Sequence, residues 1–394
     1  VEPGLKPSPT NPDLAVYAFA KTDAFMAELL SHENPTVVAL AEARLGERST
    51  VEGARLQRFM DIGSRGSLPI PLTVSGAHTH RYAGGEKINL QNLPKRGGRD
   101  LTLRRAIIPP EGHVIVAADS SQIEVRVLAY FAGHQTLLAD FVGGVDPYIT
   151  QAAQTYNRPT TDIIAEHAAG AEPGKTQRAV AKESVLSAGY QCGFFTLRER
   201  LRVYGVHITE AAAREAIAGY RSTNLAIVRM WETCRRALDV MVGRAEMQFG
   251  GPTGDLIKVR AFACVGRTDV SPYIELPDGN RIWYHGLTST RGPMGPQYSY
   301  FSGKVRKDIY GGKFTENIVQ ALAFAILKWQ AIQIQDAGVP IHLNVHDEWV
   351  SVVPTEQTDH ALAQYKKWMA VPPPWAPGLP LACTAGVADN YGDV

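Results

Sequence analysis

Two separated acids, each beside an apolar run, have the residue type and setting to hold a divalent cation. In His113-Val-Ile-Val-Ala-Ala-Asp119-Ser-Ser-Gln-Ile-Glu124-Val-Arg126, Asp119 follows a short β-branched strand pattern, and Gln122 to Phe131 continues at helical spacing. In Ile341-His-Leu-Asn-Val-His346-Asp347-Glu348-Trp-Val-Ser-Val-Val353, three polar residues sit between two apolar runs, as at the tip of a tight hairpin. A carboxylate is costly to bury unpaired, so an Asp after an apolar strand either caps the next helix or meets a cation. Taken singly, Asp119 suits the cap and the hairpin acids suit solubility. A third stretch, Gln177 to Tyr190, spaces Arg178, Lys182, Leu186 and Tyr190 by four, so each step advances about 40° around a helix and the set forms one drifting stripe. Two cations one turn apart, then an apolar residue and an aromatic, suit a triphosphate at one end and a sugar and base at the other. A solvated basic face running into core residues fits the same stripe.

The elements that must position these groups are legible in outline. Tyr310 to Gln335 reads as a long helix with Ile318, Leu322, Ala325 and Trp329 toward a core and Lys313, Asn317 and Gln320 open to a ligand. Ile274 to Tyr284 reads as a hairpin around Asp278-Gly279. Thr196 to Val242 stays helical, with Trp231 packed inward, and residues 146 to 165 form a connector and a helix. From Asp13 to about Gly63 the pattern is helical, with Ser49-Thr50 ahead of Glu52 as a helix start, after a Pro-rich, poorly ordered first twelve residues. Pro372 to Pro377 reads as a loop that leads into a last strand over Leu379 to Val387. The chain has 394 residues, room for one large core or two to three subdomains, and its 45% hydrophobic content is ordinary for a globular protein. A net charge of +1 says little in sum; Lys95, Arg96, Arg99, Arg104 and Arg105 crowd just before the first acid-bearing strand, and Asp162, Glu166 and Glu172 lie beyond it. Cys192, Cys234, Cys264 and Cys383 have no zinc-like spacing and read as reduced thiols. With no signal peptide and no apolar run of membrane-spanning length, the expectation is a soluble chain of bacterial or phage-infected cytoplasm.

Taken together, the three stretches resemble motifs A, B and C of the family A DNA polymerases, the DNA polymerase I type, from about residue 20 to 390. Asp-Ser-Ser-Gln-Ile-Glu resembles motif A, Val-His-Asp-Glu motif C, and Arg178-x3-Lys182-x3-Leu186-x3-Tyr190 motif B; Asn89-Leu-Gln91-Asn92-Leu-Pro94 resembles the family's Asn-Leu-Gln-Asn-Ile-Pro signature. Three such motifs in order, with that signature before the first and Gln320 before the last, are highly specific. The resemblance implies an α+β right-hand polymerase fold with an antiparallel-sheet palm, helical fingers and a partial helical thumb. Its boundaries would be 1–63 for the thumb base and palm edge, 64–145 for the palm with motif A, 146–242 for the fingers, and 243–394 for the rest of the palm.

The same resemblance implies template-directed addition of dNTPs to a primer 3′-hydroxyl, helped by two Mg2+ ions, with Mn2+ able to substitute. Asp119 and Asp347, with the Ser120 carbonyl, are the implied metal ligands; Glu348 and Lys182 join the catalytic set, Glu348 near the metals rather than on them. Nucleotide contacts fall to Ser120, Ser121, Gln122, Glu124, Arg178, Lys182, Leu186 and Tyr190. Glu124 is the implied steric gate against a ribose 2′-hydroxyl, partnered by Tyr190; otherwise it is a surface carboxylate paired with Arg126 or Arg178. DNA contacts fall to Arg81, which would test the minor-groove edge at the primer end, and to Asn89, Gln91, Asn92, Arg126, Asn317, Gln320 and His346. Which of Glu316 and Asn317 answers the family's asparagine near Gln320 stays open.

Three departures stand out. Leu186 replaces an aromatic, Gln191 replaces the glycine after the tyrosine, and Tyr148 stands where a phosphate-contacting His is usual. Most of a thumb and any upstream nuclease domain are missing, so the chain is either a C-terminal fragment or unusually short, and no proofreading site is expected in it. The implied partners are primer-template DNA and dNTPs for a monomer, with no membrane; replisome accessory proteins or an upstream nuclease domain are further possibilities. A silent primer-template binding module and a single-subunit RNA polymerase relative are the competing readings, the latter disfavoured by Glu124.

Overall fold

The computed structural model describes residues 4–7, 14–19, 23–30, 32–46, 50–86, 88–93, 102–263, 270–293 and 295–394. Lys95, Arg96, Arg99, Pro94, Ser49 and Cys264 lie outside the described residues. The chain divides into two compact units, residues 1–68 with 202–205, and residues 69–201 with 206–394. In the first, helices span Ala24–Leu30, Pro35–Gly46 and Thr50–Gly63. A strand pair, Leu5–Pro7 against Ala15–Tyr17, stands where the sequence reads as unstructured and then helical.

The second unit is organised by a four-stranded antiparallel sheet in the order Leu343–Val345, Glu348–Pro354, His113–Ser120, Cys383–Ala388. His113–Ser120 is internal, and Val114, Ile115, Val116, Ala117 and Ala118 are all buried. That explains why the strand reads as an unbroken apolar run rather than an alternating one. Burying each Val or Ile side chain contributes about 1.5–3 kcal/mol. Helix Thr358–Trp368 packs on this strand and its neighbours. The 26-residue helix Gly311–Asp336 is held to the sheet by the Trp349 indole, which donates to the Leu327 carbonyl at 3.2 Å.

Helices Pro147–Tyr156, Thr160–Ala168, Gly174–Ala188, Phe194–Val203, Glu210–Thr223 and Leu225–Val242 follow one another between the first acid-bearing strand and the second sheet. That second sheet, Met247–Phe249, Ile257–Ala263, Val270–Glu275 and Arg281–Trp283, contains the hairpin anticipated at Asp278-Gly279, with Gly279 at φ 81°. A third, three-stranded sheet, His285–Gly292, Gly295–Ser302 and Val305–Ile309, runs directly into the long helix. The sequence reading did not anticipate it.

Candidate active site

Strand register brings the two distant acids together. Glu348 pairs directly with Asp119, so Asp347 stands one residue beyond that pair at the hairpin turn. The Ser120 N–H donates to the Asp347 carbonyl at 3.0 Å, which ties the turn to the end of the neighbouring strand. Asp119 is therefore inside the strand and not a helix cap. The turn has only His346 and Asp347 between paired residues, and His346 adopts φ 53°. Two-residue hairpins need such left-handed backbone, which a His tolerates better than a β-branched residue.

Glu124 lies in the first turn of helix Ile123–Ala132. Its carboxylate accepts from Arg81 Nη2 at 2.5 Å and from the Tyr190 hydroxyl at 3.1 Å. The same Arg81 nitrogen reaches Asp347 Oδ1 at 3.5 Å. Arg81, Glu124, Tyr190 and Asp347 thus form one connected cluster, and Glu124 pairs with neither Arg126 nor Arg178. Burial, then the charge of Glu124, pushes the Tyr190 phenol well above its ordinary range, so Tyr190 remains a donor.

The oxygens at this sheet end suit a hard divalent cation. Two carboxylates and a strand carbonyl are all hard donors, and the buried Ser120 Oγ has no hydrogen-bond partner. Arg81 already brings positive charge to one of the acids. Among the described residues no group of three or more His, Cys, Asp or Glu side chains forms a ready-made metal cage. A cavity of about 380 Å³ elsewhere, lined by Tyr130, Lys258, Glu275 and Trp375 among others, includes none of these acids.

Glu348, expected in the catalytic set near the metals rather than on them, is held by groups from two other segments. Its side chain shares a face with Asp119, but Oε1 accepts from the Tyr391 hydroxyl at 2.5 Å and faces Arg104 Nη2 at 3.4 Å. Arg104 and Glu348 are each only 5% exposed, and the guanidinium stacks 3.9 Å from the Tyr391 ring centroid. Burial and the adjacent carboxylate raise the Tyr391 pKa, so the phenol stays protonated and donates. Glu348 is thus held by Tyr391 and Arg104 beside the site. Arg104 is correspondingly a core residue, and Arg105 pairs with Asp393, so neither belongs to a free basic run.

Two residues expected at DNA are buried in this structure. Arg126, expected at DNA, is 7% exposed; its donors go to the Ser121 carbonyl, the Pro380 carbonyl and Gln122 Oε1, and it stacks on Phe141. Asn317 is 6% exposed and donates to the Tyr284 hydroxyl at 3.2 Å. Glu316, one turn before Gln320, accepts from Gln320 Nε2 at 3.4 Å and pairs with Lys313. Glu316 and Gln320 thus share a helix face, and Asn317 points into the core.

The signature loop is compact. Gln91 is buried in a 3-10 turn, Leu90–Asn92, and Asn92 is exposed. Asn89 adopts φ 32° with a buried Oδ1 that has no hydrogen-bond partner, pressed against Gly84, where a Cβ would overlap it.

Motif B forms helix Gly174–Ala188, and Tyr190 lies just past its end. The acids before it organise its start: Glu166 accepts from the Gly174 N–H at 2.7 Å and pairs with Arg158, and Glu172 accepts from the Thr176 N–H at 3.1 Å. Arg178 is gripped through Nε and Nη2 by Asp146 Oδ2, at 3.0 and 2.7 Å. Lys182 is exposed, with no carboxylate in ion-pair reach among the described residues, and Leu186 packs partly into the core. Tyr148 is buried beneath Arg178, and its phenol is pushed up to about 12, first by burial and then by Asp146.

The missing glycine at position 191 has a structural answer. Gln191 takes φ 67°, the backbone a glycine favours, and its Oε1 accepts from the Gly312 N–H at 3.0 Å. A Cβ at Gly312 would overlap the Tyr190 carbonyl and the Gln191 side chain, and one at Gly311 would overlap the Trp231 carbonyl. The Trp231 indole in turn donates to the Gly189 carbonyl at 2.7 Å. Sequence reasoning missed this junction, although the Gly311-Gly312 pair opening a long helix was the available signal for close backbone approach.

Comparison with known proteins places the chain in context. The model of "DNA polymerase family A" matches residues 33–240. A DNA polymerase of Bacillus phage SP02 is 28% identical over 296 residues, covering 73% of this chain and 43% of that protein. DNA polymerase I of Chloroflexus aurantiacus is 36% identical over 128 residues, 32% of this chain and 12% of that one. The chain therefore spans less than half the length of these relatives. Among solved structures, the POL domain of Pol1 from M. smegmatis, in complex with DNA primer-template and dNTP, is similar in fold, with a TM-score of 0.65 at 17% identity over 100% of this chain and 59% of that one.

Proposed function

This chain belongs to DNA polymerase family A, and on that premise we propose that it extends a DNA primer by template-directed addition of deoxynucleotides, releasing pyrophosphate. The observation that carries the reading is the strand register that sets Asp347 beside the Asp119–Glu348 pair, with Arg81, Glu124 and Tyr190 clustered around it. Asp119, Asp347 and the Ser120 carbonyl would hold Mg2+, or Mn2+ in its place; the ions would lower the pKa of the primer hydroxyl and neutralise charge on the leaving pyrophosphate.

The chain's own groups have separate tasks. Arg178 and Lys182 bind the triphosphate; Arg178 must exchange Asp146 for phosphate, whereas Lys182, which is exposed, would protonate the leaving group. Glu124, fixed by Arg81 and Tyr190, fills the space that a 2′-hydroxyl would need. Tyr190 holds the place of the templating base, and Leu186 offers the sugar an aliphatic surface without ring stacking. Ser121 and Gln122, at the helix entry, line the nucleotide side. Arg81, Asn89, Gln91, Asn92, Gln320 and His346 lie on the primer-template side. In this assignment residues 1–63 are the thumb base and palm edge, 146–242 the fingers, and 64–145 with 243–394 the palm.

The test is extension of a primed DNA template with four dNTPs and Mg2+. Product growth and pyrophosphate release are expected from the wild type, and neither from Asp119→Ala. DNA binding without any extension by the wild type would replace this reading with that of a silent primer-template module.

A further inference from the structure

The three-stranded sheet at His285–Ile309 has a charge that the rest of the chain does not share. It carries Arg291, Lys304, Arg306 and Lys307 against one acid, Asp308, in a chain whose total is only +1. All four cations are exposed, and no carboxylate among the described residues lies within ion-pair reach of them. A salt-bridged surface face would show alternating partners, as the helix face around Arg235, Glu232 and Asp239 does.

Arg306 is also held in place. Its Nη1 donates to Thr288 Oγ1 at 2.9 Å and Ser299 Oγ at 2.7 Å, and its guanidinium lies 4.6 Å from the exposed Phe301 ring centroid. A guanidinium fixed by neutral hydroxyls and a ring keeps its full charge and loses little entropy when it meets an anion. The base of the sheet is rigid: Tyr298, Tyr300 and Ile309 are buried, and the Tyr298 hydroxyl donates to Asp239.

Position gives the anion its identity. The His78 ring contacts Tyr284 and Tyr300, with centroids at 5.1 and 5.2 Å, so the loop carrying Arg81 is seated on this sheet. The last strand continues through Tyr310 into the helix that carries Glu316 and Gln320. We propose that this sheet is a second DNA-binding surface, whose Lys304, Arg306 and Lys307, with Arg291, grip the phosphate backbone of the primer-template duplex as it leaves the primer end. The inference rests on the polymerase reading above. Its contacts are to phosphate, so it adds affinity and grip without sequence preference.

The test is the full chain with Lys304→Gln, Arg306→Gln and Lys307→Gln combined, binding a primed duplex between 50 and 200 mM salt. Each lost phosphate contact lowers the slope of log K against log salt by about 0.9, so a slope shallower by roughly two to three is expected, with Kd raised at least about tenfold near 150 mM salt. Single-nucleotide incorporation at saturating DNA should be unchanged, and the melting temperature should fall by only about a few degrees, because the three side chains are exposed and Arg306 gives up only its bonds to Thr288 and Ser299 and its ring contact. A slope and Kd equal to the wild type's would overturn the proposal. So would an equal loss on single-stranded template, which would make the sheet a single-strand surface. Failure of the polymerase reading would look different, as absent extension by the wild type itself.

Discussion

Replacing Arg104 with Met should destabilise the protein sharply, although no DNA or nucleotide is involved. The substitution leaves the Glu348 carboxylate 5% exposed, with the Tyr391 hydroxyl still donating to it. Breaking a buried ion pair from one side costs about 3–5 kcal/mol. The 3.4 Å separation is long for a charge-assisted hydrogen bond and points to the lower half of that range. Loss of the guanidinium's stacking on Tyr391, worth about 0.5–2 kcal/mol, pushes the other way. We therefore expect about 3–4 kcal/mol for Arg104→Met and about 3 for Glu348→Gln, which keeps an acceptor for Tyr391 but strands the guanidinium. The double variant Arg104→Met/Glu348→Met removes both charges and should cost well under the sum, with a coupling of about 1–3 kcal/mol. Equilibrium urea unfolding of the four proteins, read by tryptophan fluorescence, closes the cycle. Additive single effects, or single effects below about 1 kcal/mol, would refute the pairing and return Glu348 to the set of acids available to a metal.

Other perturbations test neighbouring parts of the account. Glu124→Ala releases Arg81 and Tyr190 and opens the space beside the sugar, so ribonucleotide incorporation should rise at least about tenfold relative to deoxynucleotide; unchanged selectivity in competition assays would remove Glu124 from the gate. Gly312→Ala forces a methyl group into the Tyr190 carbonyl and Gln191, so it should cost about 1–3 kcal/mol in thermal unfolding and slow incorporation. A variant as stable and as fast as the wild type would mean the junction yields freely. Burial first, then His80, Lys307 and His285, lowers the His78 pKa to about 4. The unfolded chain therefore takes up this proton near pH 6.5 and the folded chain only near 4, so stability falls as pH drops through that window, by up to about 3 kcal/mol. His78→Phe should flatten that limb of the stability-pH curve, and an unaltered limb would place the titration elsewhere.

The elements that carry the candidate site were legible because their signals are local. Asp119 ends an apolar strand, Asp347 sits in a hairpin turn, and the four-residue spacing of Arg178 to Tyr190 follows from helical periodicity. What escaped depends on contacts between distant segments. Nothing near Arg104 in sequence says that Glu348 and Tyr391 will enclose it, and the basic run around it reads as solvent-facing until burial is known. The burial of Arg126 and Asn317 was hidden for a related reason: on helices buried on more than one side, polar type alone does not tell a core hydrogen bond from a ligand contact. Spacing alone already sets Glu316, and not Asn317, one full turn before Gln320. Asp146-Pro147 reads as a helix start, which it is, but its second role of holding Arg178 depends on the packing of two helices. The three-stranded sheet is encoded in short, Gly-interrupted segments whose alternation is weak, and two of its four cations lie next to each other in sequence.

The central claim is that Asp119 and Asp347 share one divalent-cation site that is completed by substrate. Mn2+ binding followed by electron paramagnetic resonance, with a dideoxy-terminated primer-template and the matching dNTP present, tests it most directly. The account predicts two tightly bound Mn2+ per wild-type complex, and loss of at least one in both Asp119→Asn and Asp347→Asn with the DNA still bound. Unchanged Mn2+ stoichiometry and affinity in both variants would contradict it.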